Sequence, residues 1–238
     1  MESLAYFEQM IVEANRQKIK LHSFDLSSLD FSDEVKTHIE LMLSAVTSVS
    51  KEYLWYKVTS DDEEVEREQL ERVFAYEFYY QWRRLLESFG CTLILNGEVS
   101  KKVRDKISVK RQYAIKYPDM VLHAGQDNFD EEFQLIVCEI KRKEGFEEET
   151  FRKDLSSIIS YLDKDNFNKA PFQCGVLLLV GDTLDDSKIK STIKTVAREN
   201  HKRQDCYKNI LCVSYNYIRE SKKFDLTFSL LENLISGN

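Results

Sequence analysis

The run Phe172–Val180, FQCGVLLLV, constrains the fold of this chain more than any other stretch. A strand with one wet face alternates apolar and polar side chains. This run does not, so it reads as a strand covered on both sides, with helices above and below its sheet. The flanking patterns supply those helices. Phe151, Leu155, Ile158, Ile159 and Leu162 form a helical stripe before it, and Ile189, Ile193 and Val196 form one after it.

From residue 61 the pattern reads helix, three strands, helix, strand, helix, strand, an α/β arrangement around a mixed sheet. The first helix opens at Ser60 with acids in its first turn and stops at Gly90. Strands are expected at 91–95, 113–123 and 133–141, then at 172–180 and 210–217. Residues 126–130 form a turn, and 224–235 fit a strand or a helix equally well. Before residue 61 the spacing gives two helices, about 3–21 and 33–56, the second with Ser32 as N-cap. The division is therefore a helical extension over 1–60 and an α/β domain over 61–238. The extension is read as a capping or dimerising element, which makes a homodimer through these helices an expectation.

Five cysteines at irregular spacings, without a zinc pattern, point to reduced thiols and an intracellular, cytoplasmic setting. No apolar run reaches the roughly 20 residues that span a bilayer, so no membrane partner is expected. The formal charge of −7 argues against a surface coated for nucleic acid. Charge is nevertheless sorted along the chain. Between Glu98 and Lys116, seven lysines and arginines face only Glu98 and Asp105.

Just beyond this basic stretch lies YPDMVLH, and farther on FQLIVCEIKRK. On the strand 133–141 the period of two sets Glu139 and Lys141 on one face. Asp119 shares a face with Val121 and His123 on the strand before it. If the two strands pair antiparallel, Asp119 and Glu139 meet at one edge of the sheet. Two carboxylates there offer hard oxygen ligands to Mg²⁺, and the Ile140 carbonyl can add a third. Lys141 can orient a water or neutralise a phosphate oxygen. Phosphodiester hydrolysis needs such a set. On the helix 61–88, Glu77 falls inside the apolar stripe, where Gln81 or Arg84 satisfies it or it points at a site.

Pro118-Asp119 followed by Glu139-Ile140-Lys141 resembles the signature of the PD-(D/E)XK nuclease superfamily, the restriction-endonuclease-like fold. The order of elements over 61–181 is similar to that family's core of helix, three strands, helix and strand. The resemblance implies a mixed β-sheet flanked by helices and a Mg²⁺-dependent nuclease, with Mn²⁺ able to substitute. It implies Asp119 and Glu139 as metal ligands with the Ile140 carbonyl, Lys141 as assistant to the nucleophile, and Glu77 in support. Nucleic acid, DNA in the first place, is the implied partner. Lys101, Lys102, Arg104 and Lys143 are candidates for contacts with its backbone. The exonuclease branch carries Gln-x-x-x-Tyr on the helix after the third strand; here Ser157 stands in place of the glutamine, four residues before Tyr161.

Bland readings stand beside these. Asp119, Glu139 and Lys141 can be solvated strand ends, His123 a structural histidine, and Tyr79, Tyr80 and Trp82 core rather than base-stacking residues. Two other functions fit the chain: an inactive nuclease fold that binds nucleic acid or a protein, and an unrelated α/β interaction protein.

Overall fold

The computed structural model describes residues 24–53, 67–97, 118–124, 134–142, 147–165, 171–218, 221 and 223–237. Helix α1 spans Asp33–Ser48 and α2 spans Arg67–Ser88. Strands β1 (Ile94–Gly97), β2 (Met120–His123) and β3 (Gln134–Arg142) follow. Next come α3 (Glu148–Leu162), β4 (Cys174–Val180), α4 (Ser187–Glu199) and a 3₁₀ segment, His201–Asn209. Strands β5 (Ile210–Ile218) and β6 (Lys223–Leu230) and the short helix α5 (Leu231–Ser236) complete the elements of the described residues.

The strands form one six-stranded sheet in sequential order, β1 to β6. Pairs β3–β4 and β4–β5 are parallel, and the outer pairs are antiparallel. This is an α/β fold with a mixed open sheet flanked by helices. The two parallel pairs require crossovers, which α3 and α4 provide. Every residue of β4 is buried, as its unbroken apolar run requires. On one face lie α1 and α2, with Ile39, Met42, Phe74, Phe78 and Trp82 packed on Met120, Leu122, Ile140 and Leu178. On the other, α3, α4 and α5 cover Val121, Val137, Leu177 and Leu179. Helix α3 lies so close to β4 that a Cβ on Gly175 would stand 2.4 Å from Ile158 Cγ2 and 2.8 Å from Leu162 Cδ1.

Local signals explain most element ends. The Ser32 hydroxyl accepts from the Val35 N–H at 3.3 Å and caps α1. Gly90, at φ 65°, ends α2 while the Cys91 N–H donates to the Leu86 carbonyl at 2.9 Å. Helix α1 stops at Ser48, short of the expected 56, and a 3₁₀ turn over Lys51–Tyr53 follows. Residues 224–235 prove to be a strand and then a helix, because β6 passes into α5 at Leu230–Leu231. The apolar face of α1, a candidate dimer contact, lies in the same core as α2 and the sheet. The expected helix 3–21 and the turn 126–130 lie outside the described residues, as does the Ser60 cap.

All five cysteines are free thiols. Burial raises Cys138, Cys174 and Cys212, the last to about 12. Among the described residues no helix is long and apolar enough to cross a membrane.

Candidate active site

Strand β2 pairs with β3 so that Met120 stands opposite Cys138 and Val121 opposite Val137. Continuing that register by one residue sets Asp119 opposite Glu139. Asp119 is half-buried and lies just before β2, where the chain has left regular pairing. Its side chain does what the backbone no longer does there: the Ile140 N–H donates to Asp119 Oδ2 at 2.7 Å. A carboxylate accepting a backbone N–H is a strong, charge-assisted contact, so Asp119 is held to β3 at a defined place.

Alternation along β3 then separates the acid-x-lysine triplet. Ile140 belongs to the α1–α2 core and is buried. Glu139, 3% exposed, shares its side of the strand with Val137 and Lys141. Lys141 Nζ lies 2.6 Å from Asp154 Oδ2, on α3, and 4.0 Å from Glu71 Oε1, on α2. The lysine thus reaches from the sheet end to acids on helices of both layers, Asp154 being the nearer and itself buried.

Between α2 and strands β1–β3 lies a cleft of about 450 Å³, lined by Glu71, Arg72, Ala75, Tyr76, Tyr79, Gly97, Asp119, Met120 and Ile140. Two carboxylates, Asp119 and Glu71, line it. Burial raises the Glu71 pKa, and the Asp119 charge raises it further, against the opposing pull of Lys141 and Arg142. Tyr79 forms part of the wall, its hydroxyl donating to the Leu95 carbonyl at 3.1 Å.

The helix acid at the cleft is Glu71 rather than Glu77. Glu77 Oε1 accepts from Gln81 Nε2 at 2.7 Å, and Glu77 does not line the cleft. The two are six residues apart, which sets them about 120° from each other around the helix, on different sides of it. The cause is the rotation of α2. Phe74, Phe78 and Trp82 stack along its buried side, with centroids 6.1 and 5.4 Å apart, and this places Glu77 at the margin of the stripe. In the sequence, Glu71 is hidden as the last member of an acidic run.

Other candidates fall away from the cleft. His123 is bracketed by Asn96 Nδ2 and the Ala124 carbonyl, each 2.8 Å from a ring nitrogen, which fits the structural reading. Ser157 bonds back to the Lys153 carbonyl, and Tyr161 packs edge-on against Phe172. Trp82 is core, while Tyr80 is 55% exposed. Lys101, Lys102, Arg104 and Lys143 lie outside the described residues.

Among the described residues no cluster of three or more His, Cys, Asp or Glu is arranged to hold a metal ion. The cleft's two carboxylates still suit Mg²⁺ by the chemistry of the donors. That ion accepts hard oxygens, retains waters, and is commonly held through one or two carboxylates plus substrate phosphate. Burial first, and then the Asp119 charge, oppose ionisation of Glu71, and a cation bound in the cleft would favour its charged form. Comparison with models of known protein families, with curated proteins and with solved structures found no match.

Proposed function

We propose that this chain is a Mg²⁺-dependent nuclease of the PD-(D/E)XK type, acting on DNA. The observation that carries the reading is the meeting of Asp119 with the Glu139-Ile140-Lys141 segment, made by the Ile140 N–H on Asp119 Oδ2 at 2.7 Å. The order α2, β1, β2, β3, α3, β4 supports it, because it sets the acid-bearing strand ends beside an open cleft.

In this reading Asp119 is the principal metal ligand. Glu71 is a second carboxylate in the cleft, Glu139 backs the site, and the Ile140 carbonyl is the main-chain donor. When bound, Mg²⁺ supplies Lewis acidity and an activated water. The remaining work belongs to the chain. Asp119 is pre-positioned by its backbone contact and needs little reorganisation. Lys141 brings an ammonium to the sheet end between Asp154 and Glu71, where it can neutralise a phosphate oxygen or hold a water. Manganese, with similar ligand preferences, would replace magnesium.

One observation favours the second reading, an inactive nuclease fold that binds nucleic acid or a protein. The Lys141 ammonium is drawn to a buried carboxylate on α3, 2.6 Å away, and Lys141 does not line the cleft.

The test is incubation of plasmid, linear and single-stranded DNA, and of RNA, with Mg²⁺ or Mn²⁺. Wild type is compared with Asp119→Ala and Lys141→Ala. The nuclease reading expects metal-dependent cleavage that both substitutions abolish. Cleavage unchanged in both would remove the site assignment. A wild type that binds DNA in gel shift without cutting it would favour the second reading.

A further inference from the structure

Helix α2 carries a second pattern, on the side turned away from the core. Arg72, Tyr76, Tyr80 and Arg84 follow one another at intervals of four residues, the row that runs along a helix surface. All four are exposed, Tyr76 at 69% and Tyr80 at 55%. Tyr76 and Tyr80 stand one helical turn apart and so form a continuous aromatic patch rather than two scattered residues. The row covers about 18 Å, from a rise of ~1.5 Å per residue. Its first two members, Arg72 and Tyr76, also line the cleft that holds Asp119 and Glu71.

The chemistry of the row is specific. Two tyrosine faces lie between two guanidinium groups, and no acid interrupts the sequence of four. Of the described acids on this helix, Glu77 pairs with Gln81, Glu87 with Arg83 at 2.7 Å, and Glu71 lies 4.0 Å from Lys141. Arg72 and Arg84 therefore offer positive charge beside exposed rings on a chain whose formal charge is −7. Guanidinium groups bind phosphates in a planar fork, and tyrosine rings stack on bases. A duplex hides its base faces. A single strand presents them together with its phosphates.

We infer that the Arg72–Tyr76–Tyr80–Arg84 row is a track for single-stranded nucleic acid, with bases stacked on Tyr76 and Tyr80 and phosphates met by the two arginines. The track leads the strand into the cleft beside Asp119. This rests on the nuclease reading and narrows its substrate to unpaired strands or unpaired ends.

Binding is measured by fluorescence anisotropy on the full chain in chelator, where hydrolysis cannot interfere. The probe is a fluorescein-labelled DNA strand, alone and annealed to its complement. The wild type should prefer the single strand. Tyr76→Ala with Tyr80→Ala should weaken that binding roughly tenfold or more, from the stacking lost on two bases. Tyr76→Phe with Tyr80→Phe should retain it. Arg72→Gln with Arg84→Gln should lower the slope of log affinity against log salt by ~0.7 per arginine. These positions are exposed, and circular dichroism checks that each variant folds.

Equal affinity of wild type and the double alanine variant for the single strand would overturn the track. So would a preference for duplex, or no binding to either probe. The cleavage assay with Asp119→Ala separates the two ideas. Single-strand binding that depends on the tyrosines, in a chain that never cleaves, keeps the track and removes the nuclease. Cleavage that needs Asp119 but ignores the tyrosines keeps the nuclease and removes the track.

Discussion

At the scale of single residues, the site depends on how few of its charged groups are left to water. Lys141 has 16% of its side chain exposed and Asp154 only 3%, so their 2.6 Å contact is an internal ion pair. Such pairs add little net stability over an apolar pair, but removing one partner leaves a charge in a poor environment. Lys141→Met is expected to destabilise the fold by about 3 kcal/mol, and Lys141→Met with Asp154→Leu to recover most of it. Urea denaturation of the two variants measures this, and equal losses in both would contradict the pairing. The same scale shows what could be read in advance. Asp119, Glu139 and Lys141 stand out in the sequence because strand alternation is simple and their spacing is local. Glu71 does not, because its place depends on the rotation of α2, and stacked rings at Phe74, Phe78 and Trp82 set that rotation. The broad face that the sequence draws through Leu70, Val73, Phe74, Glu77, Gln81, Arg84 and Leu85 is narrowed by the aromatic stack, since each ring buries more area than an aliphatic side chain.

At the scale of elements, two packings invite tests. Helix α3 and β4 meet where Gly175 has no side chain, with Ile158 and Leu162 filling the space. Gly175→Ala should cost about 1–3 kcal/mol by overpacking, read as a lower denaturation midpoint. In an Ile158→Ala background, which lacks the Cγ2 methyl that the new Cβ would meet, Gly175→Ala should cost less than it does in wild type. Glu40 on α1 is raised to about 7 by burial, against the Phe24 backbone N–H that favours its charged form. Its ordinary value is 4.5, so the folded state takes up a proton at a higher pH than the unfolded state does. Stability should therefore increase as pH falls through about 7 and level off below about 4.5, as far as this group is concerned. Glu40→Gln should be more stable than wild type at pH well above 7 and should lose this part of the pH dependence, measured by thermal melts across the range. Element order was legible because β4 is unbroken and the caps at Ser32 and Gly90 are local. The end of α1 was not, since Val49 leaves the helix without a glycine or proline to mark the place.

At the scale of the whole molecule, the cleft acids belong to different layers: Asp119 to the sheet end and Glu71 to the helix above it. A cation bound between them would tie α2 to β2, and only in the folded chain. Mg²⁺ or Mn²⁺ should therefore stabilise wild type by mass action, by about 2.7 kcal/mol at a hundred times the dissociation constant, read as a higher melting temperature. Asp119→Asn should lose that increment while retaining an acceptor for the Ile140 N–H. An equal rise in both would place the metal elsewhere. The sheet itself is uneven around this site. Strands β4 and β5 sit within the parallel centre, buried along most of their length, whereas β1 and β2 have four residues each. The cleft is floored by the short pair and the first of the central strands, not by the deepest part of the fold. Amide hydrogens of β4 should then exchange with solvent only when the whole domain opens, and those of β1 through smaller, cheaper openings. The Ile140 amide stands on the border between the two regimes, tied to a side chain rather than to a neighbouring strand. Its exchange rate records how tightly the cleft edge of the sheet is latched to the part that holds the fold.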